Sequence, residues 1–153
     1  MPGTFSQIYI QLVFAVKERA SLIQPSWEEE LYRYITGIVR NKAQKLLSIN
    51  GNPDHIHILI GMKPSCCLSD LVREIKKSSN EFVNERRFNR FNFQWQEGYG
   101  AFSYSHADLD SVIRYIVNQK EHHKQVTFRE EYTRLLKEFQ IEFNDAYLFE
   151  WIE

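Results

Sequence analysis

Hydrophobic and polar side chains alternate along several short stretches of the chain, which is the pattern of β-strands with one buried face. The alternation is clearest over residues 8–16 and recurs over residues 46–49 and 55–60. The Asn50-Gly51 pair between the last two stretches favours a tight hairpin. Residues 91–104 are rich in aromatic side chains and predict a further long strand, interrupted by glycines.

Apolar residues spaced three or four apart predict helices between and after these strands. Ser26 and Glu29 form a capping-box pattern at the start of the first helix, and Ser69 and Asp70 stand where they could cap the second. Two more helices are expected at about residues 107–123 and 127–139.

The first six predicted elements follow the order β-α-β-β-α-β, which is the order of the ferredoxin-like split βαβ unit. We therefore expect an α+β fold of the ferredoxin-like or RRM-like type, with an antiparallel sheet, helices packed on it and two additional C-terminal helices. A chain of 153 residues is the size of one ordinary domain, so residues 1–153 are expected to form a single domain.

The composition narrows the class of protein. Hydrophobic residues make up 43% and charged residues 25%, which excludes a disordered or low-complexity chain. No apolar run approaches the roughly 20 residues that span a bilayer, and the first residues lack the pattern of a signal peptide. Cys66 and Cys67 are adjacent, so they cannot link distant parts of the fold by a disulfide, and we interpret them as reduced thiols. Reduced thiols are typical of the cytoplasm, so we expect a cytoplasmic protein.

Charge is unevenly distributed although the net charge is only −1. Residues 71–90 carry six basic and three acidic side chains, whereas residues 129–153 carry three basic and seven acidic ones. A polyanion would be attracted to the first segment, although two solvated helix faces would show the same pattern. The candidate DNA-binding residues are Lys76, Lys77, Arg86, Arg87 and Arg90.

Two histidines of the third predicted strand are candidates for a metal site. His55 and His57 point to the same face, because alternate side chains of a strand do so, while Ile56 and Ile58 point to the other. Two imidazoles that project together can share one metal ion. A pair of partly exposed histidines without a metal explains the pattern equally well.

The predicted helix over residues 107–123 carries a second candidate pair. Tyr115 and Gln119 lie four residues apart on its polar face, so their side chains are neighbours. A half-buried tyrosine beside a solvated glutamine is the structural alternative.

Three segments together resemble a known family. They are His55-Ile56-His57 preceded by Asn52-Pro53-Asp54, the run Trp95-Gln96-Glu97-Gly98-Tyr99-Gly100-Ala101-Phe102-Ser103, and Tyr115-Ile116-Val117-Asn118-Gln119. In order and spacing the chain resembles the single-tyrosine HUH transposases of small bacterial insertion sequences (the IS200-like type), where HUH means His, a hydrophobic residue, His. The resemblance covers nearly the whole chain.

The resemblance implies a role for each candidate residue. His55, His57 and Gln119 would bind a divalent cation, Mg²⁺ or Mn²⁺, and Tyr115 would be the nucleophile. The enzyme would cleave and rejoin single-stranded DNA through a 5′-phosphotyrosine intermediate and so mobilise an insertion sequence. Gln11 departs from the family pattern, in which many relatives have histidine.

The resemblance also implies partners. Family members recognise hairpins near the ends of the element, and they are homodimers in which the tyrosine helix of one subunit can complete the site of the other. Basic residues would hold the backbone of the single strand, and aromatic side chains would stack on its bases. The candidates for stacking are Trp95, Tyr99, Phe102 and Tyr104.

Two other functions fit parts of the sequence. A non-catalytic or domesticated single-stranded nucleic-acid-binding dimer could use the same fold, as RRM sheets do, although no RNP pattern is recognisable. A small hydrolase with zinc on His55 and His57 would leave the pairing of Tyr115 with Gln119 unexplained.

Overall fold

The computed structural model describes residues 3–152 and contains one four-stranded antiparallel sheet. The order of strands across the sheet is β2-β3-β1-β4, which is the ferredoxin-like arrangement, so the predicted fold class is confirmed. The strands are β1 (Ile8–Ala15), β2 (Lys45–Asn52), β3 (His55–Met62) and β4 (Gly100–Tyr104).

Helices cover both faces of the sheet. The α-helices are α1 (Pro25–Asn41), α2 (Leu68–Arg86), α3 (Leu109–Val117), α4 (Gln119–His122) and α5 (Phe128–Glu138). Helix α2 lies on the face that presents Phe14, because the Lys76 ammonium is 5.3 Å from the centre of that ring. Helix α5 lies on the opposite face, where Tyr132 packs against Phe102.

The main core lies between the sheet and the pair α1 and α2. Strand β3 contributes Ile56, Ile58 and Ile60, which have no exposed surface. Complete burial of such a side chain stabilises the fold by about 1.5–3 kcal/mol. This face therefore fixes which way every side chain of β3 points.

The helix starts differ from those predicted by the sequence. Helix α1 begins at Pro25 and α2 at Leu68, and neither residue before them makes a side-chain capping bond, so Ser26, Ser69 and Asp70 lie inside the first turns. Pro25 needs no cap on its own nitrogen, because proline has no amide hydrogen and its φ already suits a helix. A capping box exists instead in α5, between Thr127 and Glu130.

The hairpin and the last strand also differ from the prediction. Asn50 and Gly51 belong to β2, and the turn lies at Pro53 and Asp54. Only residues 100–104 of the aromatic segment form a regular strand, and Trp95 makes a single bridge to Val16.

Two of the aromatic side chains proposed to stack on DNA bases lie in the core instead. Trp95 and Phe102 are buried, and the Trp95 indole donates to the Ser79 hydroxyl at 2.9 Å. Their assignment as stacking platforms is therefore wrong, because a buried ring offers no face to a base. Tyr99 and Tyr104 are half-buried.

Gly51 permits the close approach of β2 and β3. A Cβ atom added there would lie 2.3 Å from the His55 carbonyl oxygen and 2.8 Å from the Ile56 Cα. We expect Gly51→Ala to lower the free energy of unfolding by about 2 kcal/mol or more, because backbone must move. Gly37→Ala is the matched control: it meets no atom within 4 Å in α1, so urea denaturation should show a gain of about 0.5–1 kcal/mol. Equal stabilities would refute the close-packing argument.

Candidate active site

Strand β3 directs His55 and His57 away from the main core and towards α3, α4 and α5. Neither side chain has exposed surface, and the centres of the two rings are 5.1 Å apart. Phe128 of α5 stacks on His55 with 3.8 Å between the ring centres. The alternative of two partly exposed histidines is therefore wrong.

Each imidazole has a hydrogen-bond acceptor at its Nδ1 atom. His55 Nδ1 lies 2.6 Å from Asp54 Oδ1, and His57 Nδ1 lies 2.7 Å from Gln11 Oε1. The Gln11 amide nitrogen donates to the Tyr104 hydroxyl at 2.8 Å, which fixes the orientation of that amide. With Nδ1 protonated, each neutral imidazole presents the lone pair of Nε2 to the interior, as second-shell partners of metal ligands commonly ensure.

The inward-facing atoms are all electron-pair donors. Glu131 Oε1 lies 3.1 Å from His57 Nε2 and 3.2 Å from His55 Nε2, and Gln119 Oε1 lies 3.3 Å from His55 Nε2. Four residues offer ligand atoms within 4.8 Å of one another: His55, His57, His123 and Glu131. Without metal, protons on the imidazoles relieve the repulsion between these lone pairs by hydrogen bonding to Glu131. A divalent cation in their place would relieve the same repulsion. The residues present therefore fit a divalent metal ion.

Tyr115 reaches the same cluster from α3. Its hydroxyl donates to Glu131 Oε2, and its ring centre is 5.7 Å from that of His57. Gln119 is completely buried and its amide nitrogen donates to the same Oε2 atom at 2.9 Å. The alternative of a solvated Gln119 is therefore wrong, and a single chain brings together Tyr115, Gln119 and both histidines.

Strand β2 holds the end of the tyrosine helix. The Asn50 side chain donates to the carbonyl oxygens of Ile116 and Val117, each at 3.0 Å. The Asn52 side chain donates to the Gln119 carbonyl at 3.1 Å. Helix α3 ends at Val117, so the predicted continuous helix is interrupted at Asn118 before α4 begins. The interruption turns Gln119 towards the histidines.

Sequence reasoning assigned no metal-binding role to two residues of the cluster, His123 and Glu131. Glu131 has no exposed surface, and His123 Nε2 lies 2.8 Å from its Oε1. One signal was available for Glu131: it lies at helical spacing between the buried Phe128 and Leu135, so a carboxylate stands on an otherwise apolar face.

The cluster shifts the protonation of its members in different directions. Burial alone would raise the pKa of Glu131, but His57 and hydrogen bonds from His123 and His55 lower it well below the usual range. Burial alone would lower the pKa of His55, but the bonds to Asp54 and Glu131 raise it. Burial lowers the pKa of His57. Burial and the Glu131 carboxylate raise the pKa of Tyr115, so its phenol is neutral in this state.

The basic residues named from the sequence lie in a different layer from this site. They belong to α2 and the segment after it, on the other face of the sheet. The Lys76 ammonium donates to the carbonyl oxygens of Gln96 and Gly98, at 2.8 Å and 2.6 Å. Burial lowers the pKa of Lys76 to about 8. Lys77, Arg86, Arg87 and Arg90 are exposed.

A cavity of about 590 Å³ borders the cluster at His123 and Asp54. Its wall includes Arg19, Arg129 and Trp151, so cations and an aromatic ring line the approach to the histidines. No helix of residues 3–152 is long and apolar enough to cross a membrane. Cys66 and Cys67 are both free thiols.

The antiparallel ferredoxin-like sheet thus carries a buried His-x-His pair, beside a tyrosine and a glutamine from the helices that follow. Residues 4–119 match the family model described as "Transposase IS200 like". The chain therefore belongs to that family and is a transposase, a DNA-recombination enzyme of insertion sequences. None of the curated proteins matches the sequence.

Solved structures agree with this fold. One is a protein of Deinococcus radiodurans R1 assigned as a transposase, with a TM-score of 0.63 and 20% identity over 78% of this chain and 95% of that one. Another is a REP-associated tyrosine transposase bound to a REP hairpin, with a TM-score of 0.62 and 16% identity over 100% of this chain and 98% of that one.

The bond between Asp54 and His55 predicts a pH-dependent stability. The pKa of His55 is higher in the folded protein than its unfolded value of about 6.5. Protonated His55 therefore stabilises the fold below pH 6.5, and this stabilisation is lost as the pH rises through the folded-state pKa. In chelator-treated protein, Asp54→Asn should lower the free energy of unfolding by about 1–3 kcal/mol at pH 6, and by less as the pH rises.

Urea denaturation at pH 6 and at higher pH measures the loss of stability in Asp54→Asn. NMR should show a lower pKa of His55 in this variant than in the unmodified protein. Asp70→Asn is the control: this exposed aspartate of α2 pairs with Arg73, so its loss should leave the pKa of His55 unchanged and add no dependence of stability on pH between 6 and 8. A pH-independent loss in Asp54→Asn would mean that this carboxylate does not stabilise a protonated His55.

Proposed function

We propose that this transposase cleaves and rejoins single-stranded DNA through a 5′-phosphotyrosine intermediate formed on Tyr115. The observation that supports it is the meeting of the Tyr115 hydroxyl and the inward-facing Nε2 atoms of His55 and His57 at a single carboxylate. Nucleophile and candidate metal ligands thus lie within reach of one phosphorus atom.

The proposed metal ligands are His55, His57 and Gln119, and the proposed ion is Mg²⁺ or Mn²⁺. When bound, such a cation neutralises charge on the scissile phosphate and orients phosphorus for in-line attack. The protein residues fix that geometry: Asp54 and Gln11 hold the two imidazoles, and strand β2 holds the end of α3. Tyr104, through Gln11, extends the support to β4.

In the proposed reaction, Tyr115 Oη forms a bond to the phosphorus of the scissile phosphodiester while the bond from phosphorus to the 3′ oxygen breaks. The phenolic proton ends on the leaving 3′ oxygen, which becomes a free hydroxyl. One phosphodiester replaces another, so no nucleotide is hydrolysed. The same step in reverse, with the same or another 3′ end, rejoins the strand.

The proposed substrate is a single strand next to a hairpin at the end of the element. The REP-associated tyrosine transposase, which shares this fold, is bound to a REP hairpin, and this supports the choice of substrate. The cavity lined by Arg19, Arg129 and Trp151 offers cations for phosphates and a ring for a base, directly beside His123. The basic residues named from the sequence are proposed to contact DNA farther from the scissile phosphate: Lys76, Lys77, Arg86, Arg87 and Arg90.

The homodimer expected from the resemblance stays a prediction, and so does a cytoplasmic location. The proposed chemistry does not require a second subunit, because Tyr115 contacts the cluster of its own chain. An exchange of tyrosine helices between subunits would have to break the bonds from Asn50 and Asn52 to the end of α3 and the start of α4.

The test is covalent capture of single-stranded, hairpin-bearing oligonucleotides with Mn²⁺ or Mg²⁺, read on a denaturing gel. Tyr115→Phe should form no protein–DNA adduct, because no phenolic oxygen remains. His57→Ala should lose cleavage while circular dichroism shows the same secondary structure. A chelator should abolish the adduct in the unmodified protein.

Tyr147→Phe is the matched control, since Tyr147 is 86% exposed and outside the cluster, and it should form the adduct normally. An adduct that persists in Tyr115→Phe would refute the proposed nucleophile. Metal-independent DNA binding without strand scission would favour a non-catalytic binding protein.

A further inference from the structure

Glu131 occupies the centre of the cluster although it lies outside the segment matched to the family model. It stands in the first turn of α5, directly after the capping box of Thr127 and Glu130 that starts this helix. The family match ends at residue 119. Nothing in the roles implied by the family resemblance therefore accounts for this carboxylate.

The two oxygens of Glu131 face different partners. Oε1 lies 2.8 Å from His123 Nε2, 3.1 Å from His57 Nε2 and 3.2 Å from His55 Nε2. Oε2 accepts hydrogen bonds from the Tyr115 hydroxyl and from the Gln119 amide. One oxygen thus faces the imidazoles and the other faces the nucleophile.

A fully buried carboxylate is costly unless charge compensates it. Among residues 3–152, the cationic partners of Glu131 within 4 Å are histidines alone, with no lysine or arginine. Three of these imidazoles also offer ligand atoms within 4.8 Å of one another and of the carboxylate. A cation among them compensates the charge and also satisfies the converging lone pairs.

We propose that Glu131 is a ligand of the cation through Oε1 and the positioning residue of Tyr115 through Oε2, with His123 as a further ligand. The inference rests on the proposed function for the identity of the nucleophile. It adds a third imidazole and a carboxylate to the proposed site of two imidazoles and an amide. Such a set favours Mn²⁺ or a later transition metal over Mg²⁺, which prefers all-oxygen ligands.

The arrangement gives the ion and the nucleophile a common support. In this proposal a cation bound to Oε1 would fix the Glu131 carboxylate, whose Oε2 accepts the hydrogen bond of the Tyr115 hydroxyl. Metal binding and the position of Tyr115 are therefore coupled. Gln119 strengthens the coupling, because its oxygen faces His55 and its nitrogen donates to Oε2 of Glu131.

The test is calorimetric titration of chelator-treated protein with Mn²⁺ and, separately, with Mg²⁺. We expect Glu131→Gln and His123→Gln each to weaken Mn²⁺ binding by at least about 10–100-fold, which is the range for loss of a residue that only supports a metal ligand. Glu138→Gln, an exposed carboxylate on the same helix, is the matched control and should bind like the unmodified protein. Mg²⁺ should bind more weakly than Mn²⁺.

A second readout tests the positioning role without measuring activity. Saturating Mn²⁺ should perturb the ultraviolet difference spectrum of tyrosine in the unmodified protein and in Tyr147→Phe. The perturbation should be absent in Tyr115→Phe and reduced in Glu131→Gln at its own saturating Mn²⁺ concentration. If Glu131→Gln does not fold, His123→Gln at the edge of the cavity carries the ligand test alone.

Unchanged Mn²⁺ affinity in both variants, or faster adduct formation in Glu131→Gln, would overturn the inference. The second result would mean that the carboxylate occupies the place of the scissile phosphate. These outcomes are distinguishable from failure of the proposed function. Mn²⁺ binding that depends on Glu131, without any DNA adduct, would leave the ligand assignment standing and remove the nucleophile.

Discussion

The two-residue period of β3 is the constraint on which the rest of the site depends. Ile56, Ile58 and Ile60 are completely buried between the sheet and α1 and α2, and their burial fixes the face that β3 turns to the core. His55 and His57 must then face α3, α4 and α5. A shift of one residue would place isoleucines among the polar groups and imidazoles in the apolar core, so packing of the core and geometry of the site are specified together.

Burial of so many polar groups is tolerable because almost every one has a partner. Asp54 and Gln11 bind the outer nitrogens of the two imidazoles, and Glu131 lies among the inner ones. Openings lie on both sides of this buried centre: one cavity reaches it at His123, and another surface depression borders Tyr115.

Local sequence patterns predicted the antiparallel sheet and the shared face of His55 and His57. They also predicted that the side chains of Tyr115 and Gln119 are neighbours. They could not place His123 and Glu131, because the break at Asn118 and the turn before α5 redirect the chain in a way that no short period encodes. They also could not tell which face of the sheet α2 covers, and therefore how far its basic residues lie from the site. The Asn50-Gly51 pair misled for a physical reason: Gly51 serves close strand packing instead of a turn.

The most direct measurement of the central claim is mass-spectrometric mapping of the protein–DNA link. After capture with a single-stranded oligonucleotide, nuclease trimming and proteolysis, the residual nucleotide should be found on the peptide that contains Tyr115, attached through a 5′ phosphate. A link on Tyr104, which is connected to His57 through Gln11, or a 3′ phosphate linkage, would contradict it.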